Sequence, residues 1–165
     1  MKAKKIILVL LLIQVGLPTL FAQSVKEQKA EIIRMIISSK NYKLDVDTYL
    51  SPYREPILLD YSQFSIEIKN DTVFSNLLYI SQTDIIYNRG KELLFQAPIE
   101  KYTMNIDKRG NIHIKFLTYT ETDKINFKID VYCDGSANVY ATMLRGRSIG
   151  FSGELSTQIE EMESL

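Results

Sequence analysis

The apolar positions along this chain change their period near residue 40. Between residues 24 and 39 they recur at the period of a helix, with charged residues between them: Val25, Ile32, Ile33, Ile36 and Ile37. Ser24 and Glu27 have the spacing of a capping box, which places the helix start there. The pattern predicts one amphipathic helix whose apolar stripe is buried against a sheet.

From Tyr42 onward apolar and polar residues alternate, which is the period of a β-strand with one wet face. The residues at 42, 44 and 46 are apolar, whereas those at 43, 45 and 47 are charged. Further strands are predicted, in order, at 57–61, 64–68, 72–80 and 92–96. Asn70 and Asp71 form a turn, and residues 81–90 lack a clear period, so a long loop is expected there.

The second half of the chain is more informative, because facing strands must turn their apolar residues to the same side. A three-residue loop at 108–110 pairs Ile106 with Ile112 and Met104 with Ile114. This loop also places a glycine at the left-handed bulge position of the hairpin. The first hairpin of the second half is therefore predicted with its register.

The same rule extends to the rest of the second half. Further loops are predicted at 120–123, 133–135 and 144–146. They pair Ile129 with Val139 and Val139 with Phe151, so residues 99–155 form a five-stranded meander. The predicted fold class is α+β and mainly antiparallel β: an N-terminal helix packed on a meandering sheet of eight or nine strands, curled into a sandwich or partial barrel.

The two ends of the chain differ from this domain. Residues 1–22 have a basic start, a short apolar run and Ala22 before Gln23, as in a secretory signal peptide. The run is broken by polar and helix-breaking residues and is too short for a stable membrane span. We expect cleavage near Ala22, a single β-rich domain at 23–155, an acidic tail at 156–165, and a soluble periplasmic or secreted protein.

The net charge and the cysteine content argue against a nucleic-acid partner and against an internal disulfide. Removal of residues 1–22 from the 165-residue chain leaves 143 residues with 17 basic and 20 acidic side chains, a formal charge of −3. This balance does not suggest a nucleic-acid partner, which requires a concentrated basic face. Cys133 is the only cysteine, so the fold rests on its apolar core rather than on an internal disulfide.

Several short segments carry a resemblance to a known family. They are Asn-Tyr-Lys-Leu-Asp-Val at 41–46, Lys-Asn-Asp-Thr-Val at 69–73, Asp-Gly at 134–135 and Ile-Gly-Phe-Ser-Gly at 149–153. In this order they resemble the exported bacterial proteins of domain of unknown function 4251, over about residues 24–155. The resemblance implies a shared fold and export from Gram-negative cells, and it implies no activity.

His113 is the only histidine and lies on the wet face of its strand, within reach of Asp107 and Asp130 through strand pairing. A catalytic triad also needs a nucleophile, and no nucleophile in a sharp elbow is evident. A surface histidine is the favoured interpretation. With one histidine and one cysteine, a typical zinc site is not expected, and we predict no metal and no cofactor.

Paired carboxylates are the other candidate chemistry, because two acids can divide the roles needed for glycoside hydrolysis. The candidate pairs are Asp45 with Asp47 and Glu121 with Asp123. Solvated surface acids are the simpler explanation of both pairs. Other candidate surface residues are Tyr132, Tyr140, Arg145 and Arg147.

No catalytic residue and no ligand-binding residue is assigned from the sequence. The favoured hypothesis is an uncharacterised exported envelope protein that is not an enzyme. It would act as a binding or interaction module for a small apolar ligand or an envelope protein partner. The alternative is a carboxylate-dependent hydrolase acting on glycan or peptide.

Overall fold

The computed structural model describes residues 25–50, 55–59, 63–77, 93–121, 123–144 and 148–156. Helix α1 covers residues 25–38. The strands that follow are β1 (Asn41–Leu50), β2 (Ile57–Leu58), β3 (Ser65–Lys69), β4 (Thr72–Asn76), β5 (Leu94–Ile106), β6 (Ile112–Tyr119), β7 (Lys124–Val131), β8 (Ser136–Met143) and β9 (Ser148–Leu155). The predicted α+β class, with one N-terminal helix and antiparallel strands, is confirmed.

The strands form one antiparallel sheet that closes on itself. Its order is β2-β1-β3-β4-β5-β6-β7-β8-β9, and β1 also pairs with β9. The first part of β1 pairs with β3, and the two-residue β2 pairs farther along the same edge at Thr48 and Tyr49. The other edge of β1 pairs with β9 from Leu44 to Leu50. The predicted partial barrel is therefore a closed barrel, and closure removes the free edges of an open sheet.

The predicted registers of the second half are confirmed. Met104 lies opposite Ile114, and Val139 lies opposite both Ile129 and Phe151 on its two sides. Gly110 has a φ angle of 85° in the turn where a left-handed glycine was predicted, and Gly135 has a φ angle of 92° in the loop predicted at 133–135. Strands β5 to β9 follow one another as neighbours, so the meander prediction is also confirmed.

Strand β5 differs from the prediction of two separate segments, since it is continuous over Leu94–Ile106. Pro98 and the polar residues after it interrupt the alternation in the sequence. The structure absorbs the interruption in a bulge between Glu100 and Thr103, where Lys101 has a φ of 53°. Of the strand predicted at 57–61, Ile57 and Leu58 pair with β1, and residues 60–61 lie outside the described residues.

The barrel interior is filled by large apolar side chains. The largest fully buried ones are Phe127, Phe151, Ile37, Leu44, Ile66, Ile68, Leu93, Ile114, Ile125, Ile129, Val46 and Val73. Phe116 stacks on Phe127 with ring centroids 5.0 Å apart, and Tyr49 meets Phe151 edge to face. These ring pairs join neighbouring strands on the inner face, and the large buried side chains occupy the interior as in a small barrel.

Helix α1 crosses one end of the barrel. Near its middle, the Ile33 Cδ1 atom would lie 3.8 Å from a Cβ built on Gly135, in the β7–β8 turn. Just after its end, Lys40 forms an ion pair of 3.2 Å with Asp71, in the β3–β4 turn. These turns lie about half the barrel circumference apart in the strand order, so the helix spans the end between them.

The apolar stripe of α1 is only partly buried, unlike the prediction. Ile33 and Ile37 insert into the core, but Val25, Ile32 and Met35 remain largely exposed. In the part of the chain that the structure describes, no helix is long and apolar enough to cross a membrane. The predicted signal segment 1–22 and loop 81–90 lie outside the described residues, as do residues 145–146 of the loop predicted at 144–146 and residues 157–165 of the predicted tail.

Gly153 is expected to be required for barrel closure. A Cβ at this position would overlap the carbonyl oxygen of Asp45 and lie 2.9 Å from Val46 Cα, both of which are backbone atoms of β1. The Gly153→Ala variant should therefore lose about 3 kcal/mol in free energy of unfolding, the upper end for overpacking. Urea unfolding measures the loss. Ser152→Ala on the same strand is the control, and an unchanged Gly153→Ala midpoint would contradict this account.

Candidate functional site

The outer face of β6 and β7 brings a histidine and two carboxylates together. His113 lies directly opposite Asp130 in the sheet register. Its Nδ1 atom is 2.6 Å from Asp130 Oδ1, and its Nε2 atom is 3.4 Å from Asp107 Oδ2. The predicted proximity of the three residues is therefore confirmed, and we name them the histidine cluster.

The histidine cluster is built to hold a charged imidazole. Each ring nitrogen faces a carboxylate oxygen, so both nitrogens must carry a proton to donate. The hydrogen bond to Asp130 raises the pKa of His113, and the interaction with Asp107 adds to this. Burial disfavours ionisation of Asp130, but hydrogen bonds from His113 and Lys128 lower its pKa overall. The Lys128 Nζ atom donates to Asp130 Oδ2 at 2.8 Å.

Asp107 has a second role in organising the β5–β6 turn. Its carboxylate accepts from the backbone amides of Arg109 (2.7 Å) and Asn111 (2.9 Å) and from the Asn111 side chain. The thiol of Cys133, in the adjoining β7–β8 turn, donates to the Arg109 carbonyl oxygen at 3.2 Å. The two turns are therefore linked beside the histidine cluster.

This arrangement differs from that of a general base. A catalytic histidine needs one unprotonated nitrogen directed at a nucleophile, whereas both nitrogens of His113 face acids. Among the residues that the structure describes, no hydroxyl or thiol forms a hydrogen bond with the His113 ring. Over the same residues, no group of three or more potential metal ligands is arranged to hold an ion.

Three of the four acids in the predicted carboxylate pairs, Asp45, Asp47 and Asp123, have local partners of their own. Asp45 forms an ion pair with Lys43 at 3.1 Å, whereas Asp47 lies at the bulge in β1 and accepts from Thr48. In the β6–β7 turn, the Asp123 carboxylate accepts from the amides of Lys124 and Leu144. Asp123 thus ties that turn to the end of β8, which is a structural role.

A solvent-open groove of about 910 Å³ borders α1, and we name it the helix groove. One side is formed by α1, and the remaining lining comes from β1, the adjoining ends of β3 and β4, the β7–β8 turn and the end of β9. The lining residues are Lys29, Ile32, Ile33, Ile36, Lys43, Asp45, Gln63, Phe64, Ser65, Asn76, Asp134, Gly135, Glu154, Leu155 and Ser156. Its volume lies in the upper part of the range of ligand sites.

The helix groove combines apolar residues with an excess of acidic ones. Ile32 is 51% exposed, although it belongs to the apolar stripe of α1. Asp45 and Glu154 lie directly opposite each other on β1 and β9, and like charges in this position destabilise a sheet. Lys43 pairs with Asp45, whereas no ion pair of Glu154 is found within the described ranges.

The sequence pattern predicts the histidine cluster but not the helix groove. Strand alternation and register placed His113, Asp107 and Asp130 on one patch. The groove depends on how far α1 covers the barrel end, which the local pattern does not determine. The one available signal was an apolar stripe on α1 wider than a helix needs for packing.

Tyr132 and Tyr140 lie on the outer face as predicted, where Tyr132 accepts a hydrogen bond from Asn138.

The fold and these surfaces define a class: a closed antiparallel barrel crossed at one end by its N-terminal helix, with its polar clusters outside a filled core. The family model described as Domain of unknown function (DUF4251) matches residues 24–155, and the chain belongs to this family.

Comparison with solved structures finds the same fold. The chain is similar to the crystal structure of a DUF4251 family protein from Bacteroides eggerthii DSM 20697, with a TM-score of 0.60 and 12% sequence identity. The match covers 79% of this chain and 87% of that chain. No protein of curated function matches the chain.

The Asp107 carboxyl is expected to titrate at about 2 in the folded protein. Burial opposes its ionisation, but the donors of Asn111 and Arg109 outweigh burial and lower the pKa. Because this pKa lies below the ordinary 3.8, the stabilisation is present above pH 3.8 and is lost as the pH falls toward 2. Carboxyl carbon NMR measures the titration directly.

Thermal melts of the native chain and of the Asp107→Asn variant across the same acidic range provide a second test. The difference in melting temperature between the native chain and Asp107→Asn should shrink as the pH falls through this window. An Asp107 titration at its ordinary value would contradict the proposed turn structure.

Proposed function

We propose that this protein is an exported, non-enzymatic interaction module. In this proposal, the helix groove binds a segment of an envelope protein partner that combines apolar residues with a basic residue. The observation that carries the proposal is the exposed apolar part of α1 beside an acidic groove. Such a surface has the apolar centre and charged rim of a protein interface.

The filled barrel interior favours an external site over a carrier cavity. Carriers of small apolar ligands hold them inside the barrel, where inward side chains leave room. Here the inward positions are occupied by large residues such as Phe127 and Phe151, which stack or pack with neighbouring rings. The helix groove is open to solvent and mixed in polarity, which suits a peptide better than a lipid chain.

The charges in the helix groove favour a basic residue in the partner. Asp45 and Glu154 face each other across two strands, and Asp134 adds a third acid from the β7–β8 turn. Lys29 and Lys43 offset only two of these three charges. A partner arginine or lysine near Glu154 would relieve the repulsion, and complementary charges of this kind give specificity.

A hydrolase has less support from the geometry. The sequence-predicted acids Asp45, Asp47 and Asp123 have separate local partners, as described above. The histidine cluster presents no unprotonated nitrogen to a nucleophile. We therefore keep interaction as the proposed role.

Export is the second part of the proposal, and it is supported by the basic and apolar composition of residues 1–22. When the full chain is expressed in a Gram-negative host, we expect the mature protein in the envelope fraction to begin at Gln23. N-terminal sequencing and intact mass measure this. Recovery of a chain that still begins at Met1 from the cytoplasmic fraction would contradict export.

The groove is tested by selection of binders from a surface-displayed library of random short peptides, with the mature protein as bait. We expect enrichment of peptides that contain apolar residues and arginine or lysine. Ile32→Glu should weaken their binding about tenfold or more, since a central contact contributes about 1.4 kcal/mol or more. Glu154→Lys should weaken binding of the basic peptides in particular. Amide chemical-shift changes measure both effects.

Met35→Glu provides the matched control. Met35 is an exposed apolar residue of α1, 58% exposed, but it does not line the helix groove. Its substitution should leave peptide binding unchanged. Binding of a long-chain fatty acid that is sensitive to Ile32→Glu, without peptide enrichment, would assign the groove to a small apolar ligand and overturn the protein-partner proposal. Equal losses in Met35→Glu and Ile32→Glu would also overturn it.

A further inference from the structure

The histidine cluster joins two separate parts of the barrel. Asp107 belongs to the β5–β6 turn, whereas Asp130 is a buried residue of β7 that is 7% exposed. His113 sits between them on β6 and contacts both carboxylates. We propose that His113 is a pH-operated clasp, which fixes the β5–β6 turn to β7 when it is charged and releases the turn when it is neutral.

The charged groups around the clasp come from the β5–β6 turn, from β7 and from β6 itself. The β5–β6 turn contributes Asp107, β7 contributes Asp130 and Lys128, and β6 itself contributes Lys115 two residues away. The β5 residue opposite His113 is Asn105, which does not titrate. Two carboxylates thus face the imidazole directly, while Lys128 contacts Asp130 from the side.

The direction of the pH effect follows from this geometry. The carboxylates raise the pKa of His113 above its ordinary value of 6.5. The clasp therefore contributes its full stabilisation below pH 6.5 and loses it as the pH rises through the folded-state pKa. At the acid end, the contribution is lost only when the carboxylates protonate, and the pKa values of Asp107 and Asp130 are both lowered.

When His113 becomes neutral, the contact that is lost is the one to the neighbouring β5–β6 turn. A neutral imidazole has one N–H, so it can donate to only one of the two acids. The shorter contact, 2.6 Å to Asp130, is then retained over the 3.4 Å contact to Asp107. The β5–β6 turn keeps its internal bonds to Asp107 but loses its link through His113 to β7. That turn also contacts Cys133, which precedes the groove residues Asp134 and Gly135.

The experiment uses the mature, untagged chain, in which His113 supplies the only imidazole NMR signal. We expect the native protein to titrate above 6.5. Asp130→Asn should shift the titration down strongly, and Asp107→Asn should shift it down less, because its contact is longer. Lys128→Gln should shift it up, because Asp130 loses its other cation. Lys128 is half exposed, so this variant should fold.

Thermal melts provide the second readout. The difference in melting temperature between the native chain and His113→Gln should be largest below pH 6.5 and should shrink as the pH rises. A native titration at or below 6.5 would overturn the clasp, as would a downward shift in Lys128→Gln. A melting difference that does not vary with pH would overturn it as well, even if Asp130→Asn fails to fold.

Discussion

The close approach of the first and last long strands is the constraint on which the rest of the structure depends. Strand β9 can pair with β1 only because Gly153 has no side chain where the Asp45 backbone passes. The adjacent bulge after Val46 adjusts the register as the strands meet. Once this seam is formed, every long strand has two neighbours, and the inward apolar residues share one enclosed core.

Closure also determines where chemistry can occur. Because Phe127, Phe151 and their neighbours fill the interior, the polar surfaces found among the described residues lie on the outer wall and near the end crossed by α1. The histidine cluster and the helix groove both lie near that end, on either side of the β7–β8 turn. Cys133 in this turn donates to Arg109 of the β5–β6 turn, beside the histidine cluster, and the two residues after Cys133 line the groove. The two surfaces are therefore neighbours rather than independent features.

Local sequence rules predict the hairpins. Barrel closure and the position of α1 depend instead on long-range packing. The pairs Met104–Ile114 and Ile129–Val139 follow from loop length and alternation alone, and the same rules placed His113 near Asp130. The pairing of β1 with β9 joins residues about a hundred positions apart, for which no local signal exists. Likewise, Pro98 concealed the continuity of β5, and the exposure of Ile32 depends on the tilt of α1 over the barrel end.

The barrel is closed by pairing of β1 with β9, which are its first and last long strands. This order affects how the chain folds. During synthesis, β1 exposes an unpaired edge until the Phe151–Leu155 segment has emerged, so barrel closure waits for β9. Contacts between residues so far apart in sequence slow folding, and they prolong the exposure of unpaired strand edges that are prone to aggregate. A chain that emerges N-terminus first can therefore complete its core only after β9 has become available to pair with β1.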